Sequence, residues 1–174
     1  DLFEGFKKMR LMMSGSAALA PEIHKKWKEL TGQELLERYG MTEVGMALSN
    51  PLDGERRPGA VGQPLPNVEL RLESDEGVKI KEDGVAGQIL IKGPQVFIEY
   101  QNLPEKTEES FKDNWFLTGD VAIKEDGYFK LLGRESIDII KSGGFKISAL
   151  EIEDVLLKNN NVKECAVVAK KDKK

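Results

Sequence analysis

The chain has 174 residues, enough for one modest domain or parts of two. Its 40% hydrophobic and 32% charged content is ordinary globular composition, and no apolar run approaches a membrane span. The net charge of −4 builds no basic field, so nucleic acid is not an expected partner. One cysteine, Cys165, allows no internal disulfide and points to a reducing, intracellular compartment. Within ECAVVAK it reads as a small residue of a buried strand.

The chain opens DLFEGFKKMR, without an initiator Met or targeting segment. It stops directly after a strand-like run that needs neighbours, so the missing halves of a longer parent chain are expected partners. Residues 9–13, MRLMM, read as a short buried strand, followed by the small-residue loop SGSAALAP. PEIHKKWKEL, 21–30, reads as a helix. Pro21 suits its first turn, Ile23, Trp27 and Leu30 recur at helical spacing, and Gly32 stops it. QELLERYG is a second short strand, which makes residues 9–40 a strand–helix–strand unit of a parallel sheet.

From about residue 60 the pattern changes. VELRLES, GQILIKG, FLTGDVAIKED and GYFKLLGR read as short strands between Gly, Pro and Asp turns, with EDGY as a hairpin signal. LPEKTEESF reads as a short inserted helix. In the third section IDIIKSGGFKIS is strand, glycine turn, strand, and SALEIEDVLLKN is a helix. Ser148 and Glu151 have capping-box spacing, and Leu150, Ile152, Val155, Leu156 and Leu157 supply the apolar side. VKECAVVAK is a final strand. The fold class expected is therefore mixed α/β and β. It comprises the end of a layered α/β domain (1–60), a small antiparallel β-barrel (61–134) and the start of an α+β C-terminal domain (135–174).

Four short stretches carry chemistry. In YGMTE, Tyr39 offers a flat face for a base, Gly40 a close backbone approach, Thr42 a hydroxyl and Glu43 an oxygen for a phosphate-bound magnesium. The plain alternative is a strand-to-helix turn with Thr42 as N-cap. MSGSAAL lets a flat group lie against the backbone, or is an ordinary tight loop. In WFLTGD, Asp120 at a strand's end suits vicinal hydroxyls, or closes a turn. Arg134, where the second and third sections meet, could reach ribose or phosphate oxygens.

Each piece is weak, but their order is not. YGMTE, GQILIKGPQVFIEY, TGD, GR and IKSGGFKIS…EIE together closely resemble the acyl-adenylate-forming superfamily over essentially the whole chain. The resemblance implies an ATP-dependent acid–thiol ligase that joins a carboxylic acid to AMP and then passes the acyl group to coenzyme A. It implies that Ser14, Gly15, Ser16, Ala17 and Ala18 form the adenine-side loop, and that Glu37, Arg38, Tyr39, Gly40 and Met41 form the strand beside the nucleotide, with Tyr39 stacked on adenine. Thr42 would contact the α-phosphate, Glu43 would ligate Mg²⁺, Asp120 would hold the ribose hydroxyls, and Arg134 would fix ribose and phosphate. Thr42 and Glu43 would be the catalytic pair. A mobile C-terminal domain would turn about a hinge within Glu135, Ser136, Ile137 and Asp138. Gly143 and Gly144 would then face the thiol tunnel, while Lys141 and Lys146 either approach coenzyme A phosphates or remain solvated.

LLERYGMTE, LPNVELRL and DIIKSGGFKISALEIE look most like the malonyl-CoA synthetase branch, whose animal members are mitochondrial. A second substrate carboxylate needs a cation; Arg38 is the candidate, or it pairs with Glu37 or another acid. Met46 and Ala47 either line the acyl pocket or pack in the core. The family's phosphate loop and catalytic lysine have no counterpart here, and Glu99 replaces the glycine of its Gly-Tyr pair. A short- or medium-chain acyl-CoA synthetase and a non-catalytic nucleotide-binding relative remain as alternatives.

Overall fold

The computed structural model describes residues 2–159 and 161–170. It begins with a helix that the sequence reading did not anticipate, α1 (Leu2–Lys7). The strand expected at 9–13 is reduced to β1 (Met13–Ser14), which pairs in parallel with β2 (Leu36–Met41) through Met13↔Leu36 and Ser14↔Glu37. Between them lies α2 (Pro21–Thr31), closed by Gly32 in the left-handed region at φ 75°. The strand–helix–strand unit is therefore present.

The buried stripe of α2 differs from the expected one. Ile23 and Leu30 are 54% and 46% exposed, whereas His24 and Thr31 are buried and Trp27 half-buried. The stripe is set by a polar partner beneath the helix, the Glu37 carboxylate, rather than by hydrophobicity.

After β2 the chain does not enter a helix. It reverses through residues 42–44 into β3 (Gly45–Ser49), antiparallel to β2, and β4 (Gln63–Pro64) extends the sheet in the order β1-β2-β3-β4. Gly40 is where the two strands come closest: a Cβ there would lie 2.1 Å from the carbonyl oxygen of Gly45. The hairpin itself thus supplies a reason for a glycine at this position.

The second sheet comprises β5 (Glu69–Glu73), β6 (Lys79–Ile80), β7 (Gly87–Lys92), β9 (Trp115–Glu125) and β10 (Tyr128–Arg134), in the order β10-β9-β7-β5-β6. The expected short helix is α3 (Pro104–Glu109), and it leads into β8 (Phe111–Lys112), which pairs with β9. Tight turns at Asp113-Asn114 and Asp126-Gly127 have both central residues at positive φ, matching the twist of the strands they join. This sheet is curled and open, not the closed barrel expected from the sequence: β10 and β6 stand at opposite ends of the strand order and do not pair.

One core joins the two sheets. Val44, Ala47 and Leu48 from the β2–β3 hairpin pack with Leu72, Ile89, Ile91, Phe116 and Phe129. On the other face Ile139 packs with Val121 and Leu132. Ile139 belongs to the hairpin β11 (Ile139–Ser142) and β12 (Phe145–Ser148), turned at Gly143-Gly144 as expected. Helix α4 (Ala149–Leu157) follows. Ser148 Oγ accepts the Glu151 N–H, but the Glu151 carboxylate pairs with Lys130 at 2.7 Å, so only one arm of the capping box forms. Ile152, Val155, Leu156 and Leu157 on α4 are exposed.

The expected final strand does not form: within the described part, residues 162–170 pair with no strand, Cys165 is half-buried and Val168 is exposed. A strand-like run needs an edge to bond to, and among the described residues none pairs with it.

Gly40→Ala forces the β2–β3 hairpin apart and is expected to cost on the order of 3 kcal/mol in urea unfolding. An unchanged midpoint would contradict the register at Gly45.

Candidate active site

A cavity of about 290 Å³ opens where the first sheet, the middle of β9, β10 and α4 meet. Ser14, Gly15, Ser16, Ala17 and Ala18 form one wall. At Gly15 the backbone of β2 comes close: a Cβ there would stand 3.2 Å from the Arg38 carbonyl. Glu37, Arg38, Tyr39, Gly40 and Met41 line the β2 side, and Asp120 and Arg134 come from the second sheet. All these sequence-derived candidates thus share one cavity.

Asp120 is placed by irregularities in the ladder rather than by a strand end, for β9 runs on to Glu125. Between Leu90↔Leu117 and Gln88↔Val121 the pairing shifts, so residues 118–120 bulge opposite Ile89, with Gly119 at φ 75°. A bulge re-aims side chains. Thr118 Oγ1 donates to the Ile89 carbonyl at 2.9 Å and accepts the Asp120 N–H at 3.1 Å, pinning the bulge. On the other side, a second register shift between Leu131 and Gly133 brings Arg134 directly opposite Asp120.

The Asp120 carboxylate is shared. The Tyr39 hydroxyl donates to Oδ2 at 2.6 Å, and Arg134 Nε lies 3.2 Å from Oδ1. Arg134 Nη1 also donates to the Thr118 carbonyl at 3.2 Å. Burial pushes the Asp120 carboxyl above the usual aspartate range; the Tyr39 hydrogen bond and the Arg134 charge pull it down, and Asp138 adds to the rise. The Tyr39 phenol is raised in turn, by burial first and then by the Asp120 charge and hydrogen bond. It is therefore a donor at all ordinary pH. Its ring is 7% exposed and belongs to the core as well as the cavity.

Glu37 is held differently from its neighbours. Its Oε1 meets His24 Nδ1 at 2.8 Å and accepts the Gly59 N–H at 2.9 Å. Burial raises its pKa, against the Gly59 and His24 hydrogen bonds. Asn50 donates from Nδ2 to the carbonyls of Glu37 and Ala60, at 3.0 and 2.6 Å, tying the 50–61 loop to β2. Glu37 therefore does not pair with Arg38. Among the described residues Arg38 makes no ion pair; its Nη1 lies 3.1 Å from the Met46 sulfur. Met46 stands behind Arg38 and does not line the cavity, and Ala47 is buried in the core.

Thr42 and Glu43 lie in the turn just beyond the cavity-lining residues. The Glu43 carbonyl accepts the Phe97 N–H at 2.7 Å, and its Oε1 accepts the Tyr100 hydroxyl at 2.8 Å. Of the hinge candidates, Asp138 lines the cavity, whereas Glu135, Ser136 and Ile137 do not. Asp138 Oδ2 accepts the Arg134 N–H at 2.7 Å, and the Asp138 N–H donates to the Arg134 carbonyl at 2.8 Å, closing the 135–138 turn. Gly143 and Gly144 face open space outside the cavity. Lys141 and Lys146 both pair with Asp75, at 3.1 and 2.6 Å, and Lys141 also with Glu135 at 3.0 Å.

Several cavity residues were not singled out from the sequence. Gly59 and Val61 belong to RPGAVG, a Gly-Pro cluster whose density was the available signal; Glu151 was noted only for its capping-box spacing, and Lys130 and Asp154 had no signal. His24 and Tyr100 act through Glu37 and Glu43, partners visible only in three dimensions.

His24→Ala strips the partner from a buried carboxylate and is expected to cost about 3 kcal/mol in chemical unfolding. For Asp120, the folded state holds its proton to a higher pH than the unfolded chain does. Stability therefore falls as pH rises from the ordinary aspartate value through the raised one, and the loss persists above it. Asp120→Asn should melt above the wild type at neutral pH, with the gap closing as pH falls towards the ordinary aspartate range. A more stable wild type at neutral pH would mean that Tyr39 and Arg134 outweigh burial.

Residues 3–101 match the model for the family described as AMP-binding enzyme. A malonate–CoA ligase of Arabidopsis thaliana is 53% identical over 95% of this chain and 27% of its own length. The mitochondrial malonate–CoA ligase ACSF3 of Bos taurus is 47% identical over 95% of this chain and 32% of its own. The crystal structure of ATP-bound MatB from Rhodopseudomonas palustris superposes with a TM-score of 0.86 at 44% identity, over 92% of this chain and 32% of that one. The chain thus spans about a third of the length of these relatives. With the family model covering more than half of it and the cavity residues falling where the motifs lie, this chain belongs to the AMP-binding enzyme family.

Proposed function

We propose that this chain is a section of an ATP-dependent acid–CoA ligase whose preferred acid is malonate. The supporting observation is the convergence of the Ser14–Ala18 loop, Tyr39, Asp120 and Arg134 on one cavity, with the unpaired Arg38 guanidinium among them. In the first half-reaction a carboxylate oxygen of the acid attacks the α-phosphorus of ATP, and the bond to pyrophosphate breaks. In the second the coenzyme A thiolate attacks the acyl carbon, and AMP leaves.

The roles of the residues follow from their settings. Asp120, ionised and anchored by Tyr39 and Arg134, accepts hydrogen bonds from the ribose hydroxyls. The half-exposed Arg134 guanidinium has donors left for ribose or phosphate oxygens. The loop of small residues admits the adenine ring beside Tyr39, and Thr42 donates to the α-phosphate as negative charge builds there.

Mg²⁺ is held in nucleotide sites by one or two carboxylates together with phosphates and water, not by an acidic cage. Glu43 fits that pattern: its Oε1 is bonded to Tyr100, and among the described residues no hydrogen bond or ion pair falls on Oε2. No group of three acidic, His or Cys residues suited to a metal occurs among the described residues. Mg²⁺ at Glu43 would neutralise phosphate charge.

Malonate carries a second carboxylate that needs a cation in the acyl pocket, and Arg38 is free to serve. The division at residues 60 and 134, a hinge within Glu135–Asp138, the passage of Gly143-Gly144 to the thiol side, and mitochondrial residence all belong to this proposal. The last rests on the bovine relative's name.

The test is acid-dependent AMP formation by the longer protein carrying this chain, with ATP, Mg²⁺ and coenzyme A. Malonate, methylmalonate, acetate and octanoate are compared. Malonate should be preferred, and Arg38→Ala should lower kcat/KM for malonate by about 100-fold, the loss expected when one partner of a charge pair enclosed by the bound ligand is removed. Preference for octanoate or acetate would leave ligase chemistry standing and reject malonate. No turnover with any acid would favour a non-catalytic nucleotide-binding relative.

A further inference from the structure

Glu43 is gripped twice by one segment of chain, 97–100, at the end of the GQILIKGPQVFIEY stretch and remote from Glu43 in sequence. Phe97 holds its backbone carbonyl at 2.7 Å, and Tyr100 holds its carboxylate at 2.8 Å. That segment is itself rooted. The Phe97 ring sits 5.6 Å from Phe111 and 5.3 Å from Phe116, both packed in or against the shared core. Tyr100, half-buried, is held by several contacts besides its bond to Glu43. Its ring tilts against Phe97 at 4.7 Å, Lys106 Nζ stands 4.8 Å over the ring, and its N–H donates to Thr107 Oγ1 at 3.0 Å. Thr107 Oγ1 in turn donates to the Leu103 carbonyl at 3.0 Å.

So ordered a phenol, with its hydroxyl on a carboxylate that sits in a three-residue turn, is more than surface decoration. An isolated glutamate on a turn samples several rotamers, and freezing it at the moment of metal binding costs free energy. The Tyr100 hydroxyl occupies Oε1 and fixes the rotamer, and it leaves Oε2 for another partner. Hydrogen bonds from outside the coordination sphere orient ligating carboxylates in this way and raise metal affinity.

We propose that Tyr100 is a positioning residue that presets the Glu43 carboxylate for the magnesium–nucleotide complex, with Phe97 and α3 as its scaffold. This rests on the reading of Glu43 as the metal-binding carboxylate. It assigns a task to the 97–107 segment, whose α3 helix buries no residue of its own.

The experiment uses the longer protein carrying this chain, with Mn²⁺ as the probe, ATP present and no acid, so that no turnover occurs. Free Mn²⁺ is read by electron paramagnetic resonance for wild type, Tyr100→Phe and Glu43→Gln. Tyr100→Phe keeps the ring and its packing, and its melting temperature without metal serves as the control for folding. Tyr100→Phe is expected to weaken Mn²⁺ binding about tenfold, as for the loss of one charge-assisted hydrogen bond, with an unchanged metal-free melting temperature. In turnover it should raise the Mg²⁺ concentration for half-maximal rate and leave KM for the acid unchanged. If Glu43→Gln weakens Mn²⁺ binding and Tyr100→Phe matches or exceeds the wild-type affinity, the positioning role is overturned and the metal role of Glu43 stands. If Glu43→Gln binds Mn²⁺ as the wild type does, the metal reading itself fails and the inference fails with it.

Discussion

The carboxylate of Asp120 ties the two sheets together at the cavity. It receives the Tyr39 hydroxyl from the first sheet and faces Arg134 within the second, and it does so while buried. Burying a charge is unfavourable unless hydrogen bonds and an opposite charge compensate, so this one position constrains three others. Tyr39 must remain protonated, Arg134 must lie in register with Asp120, and the β9 bulge must direct the carboxylate towards β2. Without the bulge, alternation along β9 would be regular and the side chains around Asp120 would be aimed differently.

The same logic of compensated polarity recurs around the cavity. Glu37 is buried beneath β2 and satisfied by His24 and the Gly59 N–H. Asn50, also buried, holds the loop that carries Gly59 and Val61. The wall is therefore built from hydrogen bonds that cross from helix to strand to loop, while the apolar core lies to one side, between the β2–β3 hairpin and the curled sheet. Such an arrangement anchors the β2 wall of the cavity from behind, through His24 and Asn50, which do not themselves line it.

The third part of the chain is attached more lightly. Ile139 packs under β9 and β10, and Ser148 Oγ donates to the Leu132 carbonyl. The hairpin is also tied to Asp75 of the second sheet's β5–β6 loop by ion pairs from the exposed Lys141 and the largely covered Lys146. The exposed pair contributes little and weakens with salt. Attachment through few apolar contacts is what a rotating unit requires, in keeping with the proposed hinge at 135–138.

Much of this protein was legible in the linear chain. The period of α2, its glycine stop, the Asp-Gly and Gly-Gly turns, the Ser148 cap and the order of YGMTE, TGD and GR are all local signals, dictated by backbone sterics and short-range hydrogen bonding. They sufficed to name the residues from the first and second sheets that share the cavity. What tertiary structure decided was of longer range. Whether YGMTEVG turned into a helix or a hairpin depended on β3 finding both β2 and the core. Whether the second sheet closed depended on its two end strands meeting, and they do not. Whether VKECAVVAK became a strand depended on an edge to pair with. The partners His24–Glu37 and Tyr100–Glu43 lie 13 and 57 residues apart. No local pattern encodes such pairings, because a hydrogen bond between distant side chains is specified only once the backbone has brought them within reach.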